Sequence, residues 1–319
     1  MGELDSTLGA VLIAGLLAAV LHGLTILQTF LYTQTSGSDG PLMRCLVLFL
    51  WSVDTLHTAL ISHTLYFYLV TNFGHIGVLA APTWSIIVAI YLTSLTGIIV
   101  RIFLAYRLFL LCGRYRPRLR VALPAIVMIP TMITFLTGLI FASKAFIVRL
   151  FARLDTFSVY LYITFSAAAL ADTLIAVSLC VLLYRSRTGI EQTDSLLTTL
   201  IVMTINTGLL TSIFALLCLI TYSIWPLKFI YVGMYFSLNK LYVNSLLGSL
   251  NARKILQAKQ ERSTHDHRRS VRSTRFEVVS EPASYLSPAE SITMSGVAQK
   301  ESFASTSNTL HQNHVPDQT

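Results

Sequence analysis

WSIIVAIYLTSLTGIIVRIFLAYRLFLLC, residues Trp84 to Cys112, carries two charged side chains, Arg101 and Arg107, in 29 residues. About 20 mostly apolar residues suffice to cross a hydrocarbon core about 30 Å thick. In that medium every amide must be paired within its own segment, so the stretch reads as a helix rather than an open strand. Six more runs have the same character: Leu8–Tyr32, Cys45–Val70, Val121–Ala142, Phe157–Tyr184, Leu196–Tyr222 and Leu227–Leu250. The predicted fold is therefore an all-α integral membrane protein, a seven-transmembrane helix bundle over residues 1–255, followed by a disordered tail at 256–319.

Composition agrees. Of 319 residues, 54% are hydrophobic and 12% charged, and mean hydropathy is +0.66; soluble domains are about 25% charged. The net charge of +8 does not indicate nucleic acid, because the basic residues sit between and beyond the apolar runs, as topology signals do. The first run follows an acidic leader and is longer than the about 7–15 apolar residues of a signal peptide, so it reads as a retained helix. Cys45, Cys112, Cys180 and Cys218 lie in or beside apolar runs without CxxC spacing and read as buried thiols.

The breaks have turn chemistry. Thr35–Pro41 is rich in Ser, Gly and Asp, Ala81-Pro82 closes the second connection, Pro124 and Pro130 interrupt the fourth run, and Pro226 suits the first turn of the seventh helix. Tyr66, Tyr68, Trp84, Tyr160, Tyr222 and Trp225 fall near run ends, as interfacial aromatics do. Arg44, Arg114, Arg116, Arg118, Arg120, Arg185, Arg187, Arg253 and Lys254 fall on one side if the N-terminus is outside, against Lys144, Arg149, Arg153 and Lys228 on the other. The bias puts the N-terminus outside and the C-terminus in the cytosol, with Arg107 among the residues for cytosolic coupling. Lys144–Leu154 spaces its apolar residues as a short helix lying in the interface. The tail from Gln257 is rich in Ser and Thr, and its basic start suits an anionic leaflet. Ser270 and Ser273 follow arginines and Ser287 precedes Pro288, which makes them candidate phosphosites.

Ionisable residues within spanning helices mark function by default. Asp54, Arg101, Asp172 and Lys240 lie about nine to twelve residues from the inner ends of their runs, roughly 14–18 Å deep. They form one layer that is formally neutral, joined at similar depth by Asn206 and Asn239. His57, three residues from Asp54, shares its helix face and competes with Arg101 for that carboxylate. The layer reads as a ligand pocket, an ion path or a switch, or as a network fixing helix register. His22 falls on the small-residue face of Ala10, Ala14 and Ala18, beside Gly15-Ala19-Gly23, and reads as part of a packing seam. His63 reads as interfacial. His57 and His63 do not share a face, so no zinc site is expected; no catalytic motif, cofactor or metal is indicated, and the chain is expected not to be an enzyme.

Several longer phrases carry a resemblance. ADTLIAVSLCVLLYRSRTG, QTDSLL, TGLLTSIFALL and KLYVNSLLGSLNARKIL in the second half, with LDSTLGAVLIAGLL and DTLHTALISHTLYFYLVTNFG in the first, resemble an uncharacterised membrane family of mushroom-forming fungi, a domain of unknown function. The resemblance implies seven helices with the N-terminus outside and no assigned activity. Asp54, His57, Asp172, Arg187, Asp194, Asn244, Asn251 and Arg253 fall on the matching phrases, while Arg101 lies outside them.

Three functions compete. A receptor-like or sensory protein at the plasma membrane, facing a cytosolic signalling protein, fits the topology, although helix 3 ends Ala105-Tyr106-Arg107 in place of a DRY motif, helix 7 lacks NPxxY, and no cysteine pair joins helix 3 to an outer loop. A small-molecule or proton-linked transporter fits the neutral charged layer but shows no internal repeat. A structural membrane scaffold needs none of the polar residues for chemistry. A retinal protein built on Lys240 is disfavoured because helix 3 has no acid to serve as counter-ion.

Overall fold

The computed structural model describes residues 8–253, apart from short connections at 37–38, 76, 79–80, 113–116, 149, 151–154, 188–190 and 227. The chain separates into two units, Met1–Asp266 and His267–Thr319; Arg114, Arg116, Arg149, Arg153, Lys254, Ser270, Ser273 and Ser287 lie outside the described residues. Among the described residues all regular structure is helical. The long helices are α1 Ala10–Thr35, α2 Pro41–Tyr66 (continuing as a π-helical turn, Phe67–Thr71), α3 Trp84–Cys112, α4 Pro117–Val148, α5 Ser158–Arg185 and α6 Glu191–Ile224, then α7 over residues 230–253.

Six of these are long and apolar enough to cross a membrane, which makes the chain a multi-pass membrane protein. The surface shows the same thing. Ile13 is 70% exposed, Val20 65% and Ile129 63%, while Asp54 and Lys240 are 0% exposed. Apolar groups outside and charges inside reverse the water-soluble pattern and suit a lipid solvent. The helix that falls short of the apolar criterion is α7, which carries Asn239, Lys240, Asn244 and Asn251. It is also the most enclosed, with Phe236, Leu238, Val243, Leu246 and Leu247 all buried.

Consecutive helices from α1 to α6 pack on one another, and α3 also meets α5. Small residues permit the approach. A Cβ on Gly15 would stand 2.4 Å from Leu65 of α2, one on Gly208 2.5 Å from Ala176 of α5, and one on Gly233 of α7 2.5 Å from Ala14. The small-residue seam of α1 is thus real at Ala14, Gly15 and Ala18, but Ala19 and Gly23 face outwards. Asn244 Nδ2 donates to Leu21 O at 2.9 Å and Asn251 Nδ2 to Gln28 O at 2.8 Å. Both pairs are seven residues apart in the same sense, so α7 runs parallel to α1.

Several boundaries differ from those of the apolar runs, because hydrogen-bonded backbone continues beyond the apolar segment. Helix α2 begins at Pro41, with proline in its first turn, so Arg44 is helical, and its Nη2 donates to Ser36 O at the end of α1 at 2.7 Å. Helix α4 runs to Val148 through Pro124 and Pro130, so Lys144–Val148 continues α4 instead of opening a separate interfacial helix. Pro226 lies in the turn before α7, not in its first turn. Tyr68 and Tyr222 are buried in the bundle. Cys45 is exposed, against the expectation of four buried thiols; it faces out near the start of α2.

Candidate functional site

Helix α7 organises the polar layer. Lys240 and Tyr242 are two residues apart, about 200° around the helix and about 3 Å along it. They therefore serve opposite sides at one depth. Lys240 turns to α2, where its Nζ donates to Asp54 Oδ1 and to Asp54 O, both at 2.7 Å, and to Thr58 Oγ1. All three ammonium hydrogens are thereby used. Asn239 Nδ2 donates to Asp54 Oδ1 at 3.1 Å, and His22 Nδ1 of α1 meets Asp54 Oδ2 at 2.8 Å. One carboxylate thus holds α1, α2 and α7 together.

On the other side Arg101 of α3 grips Asp172 of α5 in a two-pronged contact, Nε to Oδ1 at 2.9 Å and Nη2 to Oδ2 at 3.3 Å. Arg101 Nη2 also donates to the Tyr242 hydroxyl at 2.6 Å, and that hydroxyl donates to Asp172 Oδ2 at 3.3 Å. The guanidinium carbon lies 4.8 Å from the Tyr242 ring centroid. Arginine's planar fork suits this bidentate and stacked arrangement better than lysine would.

The four charged residues pair off in two clusters. Asp54 pairs with Lys240, and neither Arg101 nor His57 reaches it. His57 instead faces α3, its Nε2 3.1 Å from Thr93 Oγ1. Since Thr93 Oγ1 donates to Ala89 O at 2.9 Å, the hydrogen-bond pattern assigns the imidazole proton to Nε2. His57 Nδ1 and Asn239 Oδ1, both buried, have no hydrogen-bond partner among the described residues. Asn206 does not belong to the layer: it is exposed on α6, since depth alone does not fix which way a helix residue faces. His63, near the C-terminal end of α2, is exposed and meets Ser85 Oγ at 3.0 Å and the Trp84 ring at 5.0 Å.

Sequence reasoning missed Tyr242 and Thr58, and assigned His22 to a packing seam. The available signal for Tyr242 was its place two residues after Lys240 in a helix polar on several faces. For His22 there was none, because its partner sits on another helix.

Three cavities line up beside the layer. The first, a narrow cavity of ≈ 40 Å³, is apolar and lies among α3, α4, α5 and α7, with Ile86, Ile90, Phe141, Leu161, Val232 and Phe236 in its wall. Thr164, Phe165 and Tyr235 also line a second of ≈ 20 Å³, which reaches Arg101 and Tyr242. Those two residues in turn line a third, of ≈ 30 Å³, extending to Arg107 and Ser249. Arg107 Nη1 donates to Ser249 Oγ, tying α3 to α7 at their C-terminal ends.

At the same end, Arg118 and Arg120 are exposed in the first turn of α4, and Arg120 stacks over Phe109 at 4.1 Å. Arg185 closes α5. Arg187 Nη2 donates to Thr198 Oγ1 at 3.0 Å, and Arg253 is exposed at the end of α7.

Residues 168–255 match a family of unknown function, DUF6534. The matched segment takes in Asp172, Asn239, Lys240 and Tyr242, so α7 and the α5 half of the second cluster lie within it, whereas Asp54 and Arg101 lie before it. No curated protein and no solved structure matches the chain.

Proposed function

We propose that this chain is a receptor-like sensor of the plasma membrane, crossing seven times with its N-terminus outside, which takes an uncharged apolar molecule into the first cavity and answers through α7. Seven crossings are supported by the parallel run of α1 and α7, since an odd number of crossings makes the first and last helix run the same way. The single observation that carries the functional reading is the apolar cavity floored by Tyr235. Tyr235 lines the second cavity together with Thr93 and Ser94 of α3, and Thr93 contacts His57 of α2.

A molecule pressing on Tyr235 acts on α7 four residues before Asn239, five before Lys240 and seven before Tyr242. The unmet hydrogen-bonding capacity of His57 Nδ1 and Asn239 Oδ1 favours a second pairing in the same layer, because each buried unpaired group costs about 1–3 kcal/mol. The Arg107–Ser249 contact would carry a shift of α7 to the basic end and to a cytosolic signalling protein. No catalytic step is part of this proposal.

The experiment is photo-crosslinking in membranes with a diazirine-bearing long-chain alcohol, followed by peptide mapping. Labelling of the α3, α4 and α7 segments that wall the cavity, lost on Gly138→Leu, is the expected result. Labelling confined to outward-facing residues and unchanged by that substitution would refute it.

Transport is the second reading, favoured by the way the three cavities share walls from Pro82 to Ser249, interrupted at Arg101, Asp172 and Tyr242. Flux in proteoliposomes that survives in wild type and stops in Asp172→Asn would decide for it.

A further inference from the structure

The third cavity differs in kind from the first. Its wall holds two guanidinium groups, Arg101 and Arg107, one carboxylate, Asp172, and hydroxyls from Thr204, Ser245 and Ser249. Asp172 is taken up by Arg101 through both oxygens. Arg107 is left with a neutral partner, Ser249, and no carboxylate among the described residues forms an ion pair with it. Arg253, four residues beyond Ser249 on α7, adds a further positive charge at this end of the helix.

Among the described residues the cavity wall holds two guanidinium groups against one carboxylate, an excess of one positive charge that falls on half-buried Arg107. In surroundings of low dielectric constant such an excess is costly unless a negative group enters. Ser249 Oγ accepts from Arg107 and keeps its own hydrogen to donate. The cavity therefore presents a planar fork and a hydroxyl donor to the same space, the donor set that suits an oxyanion. Its place at the C-terminal ends of α3 and α7 puts it at the basic end of the bundle.

We propose that this cavity binds a phosphate-class oxyanion, held by Arg107 with Ser249 beside it. The source is either a free phosphate or the headgroup of a membrane lipid. This site is separate from the apolar cavity, and it stands or falls independently of the sensory reading.

The test uses the full chain in dodecyl maltoside, a detergent without phosphate, with ionic strength held by sodium gluconate. One arm titrates inorganic phosphate; the other adds phosphatidylglycerol, with diacylglycerol of the same chains as its control. At ten times the dissociation constant, a site that binds the folded state raises the apparent Tm by about 3–6 °C. The rise is expected in wild type and in Arg118→Gln, an exposed control, and is expected to be lost in Arg107→Gln. A response to phosphate assigns a free anion, and one to phosphatidylglycerol but not to diacylglycerol assigns a headgroup. If Arg107→Gln does not fold, Ser245→Leu, which fills the cavity without touching an ion pair, takes its place. No rise with either probe, or an equal rise in Arg107→Gln or Ser245→Leu, overturns the proposal.

Discussion

Replacing Lys240 by Met keeps the length of the side chain and removes the charge that Asp54 depends on. The ammonium makes three hydrogen bonds at 0% exposure, and Asp54, itself fully buried, would keep only His22 and Asn239. Breaking one partner of a buried ion pair costs about 3–5 kcal/mol, because the remaining charge is uncompensated. At about 2–4 °C per kcal/mol for a domain of about this size, the apparent Tm of purified protein should fall by about 6–20 °C. Asp54→Asn alone should fall by a similar amount. The double variant, with no charge left to bury, should lose much less than the sum of the two. Thermal denaturation followed by size-exclusion chromatography reads all three. Losses that simply add, or a fall below about 3 °C in Lys240→Met, would show that Asp54 and Lys240 do not interact as described.

Tyr242→Phe removes the hydroxyl shared by Arg101 and Asp172 and should cost about 1–3 kcal/mol, read as a lower Tm with the helical circular-dichroism spectrum unchanged. Gly208→Ala sets a Cβ 2.5 Å from that of Ala176 and should destabilise the α5–α6 contact by about 1–3 kcal/mol; the same change at exposed Gly23, which has nothing within 4 Å, should not. Asn206→Leu should stay within about 0.5 kcal/mol of wild type, as a substitution on an outward face does, and a large loss of stability would return Asn206 to the polar layer. A glycosylation sequon inserted beside His75 should be modified in microsomes and one beside Arg118 should not; the reverse pattern would invert the topology.

The apolar runs by themselves determined that this is a multi-pass helical protein, and roughly where its helices lie. They did so because lipid forces each crossing segment to close its own hydrogen bonds, a constraint local to that segment. Depth along each run, which is likewise local, singled out Asp54, Arg101, Asp172 and Lys240 as a group. What each of them pairs with was decided by tertiary structure. Asp54 takes Lys240 and His22, Arg101 takes Asp172 and Tyr242, and Asn206 faces outwards, because partners 32 to 186 residues apart meet according to how the helices are rotated and arranged around α7. The same packing explains why the least apolar helix ends up most enclosed: Asn239, Lys240, Tyr242, Asn244 and Asn251 each donate to a neighbouring helix, which no reading of its own composition could reveal.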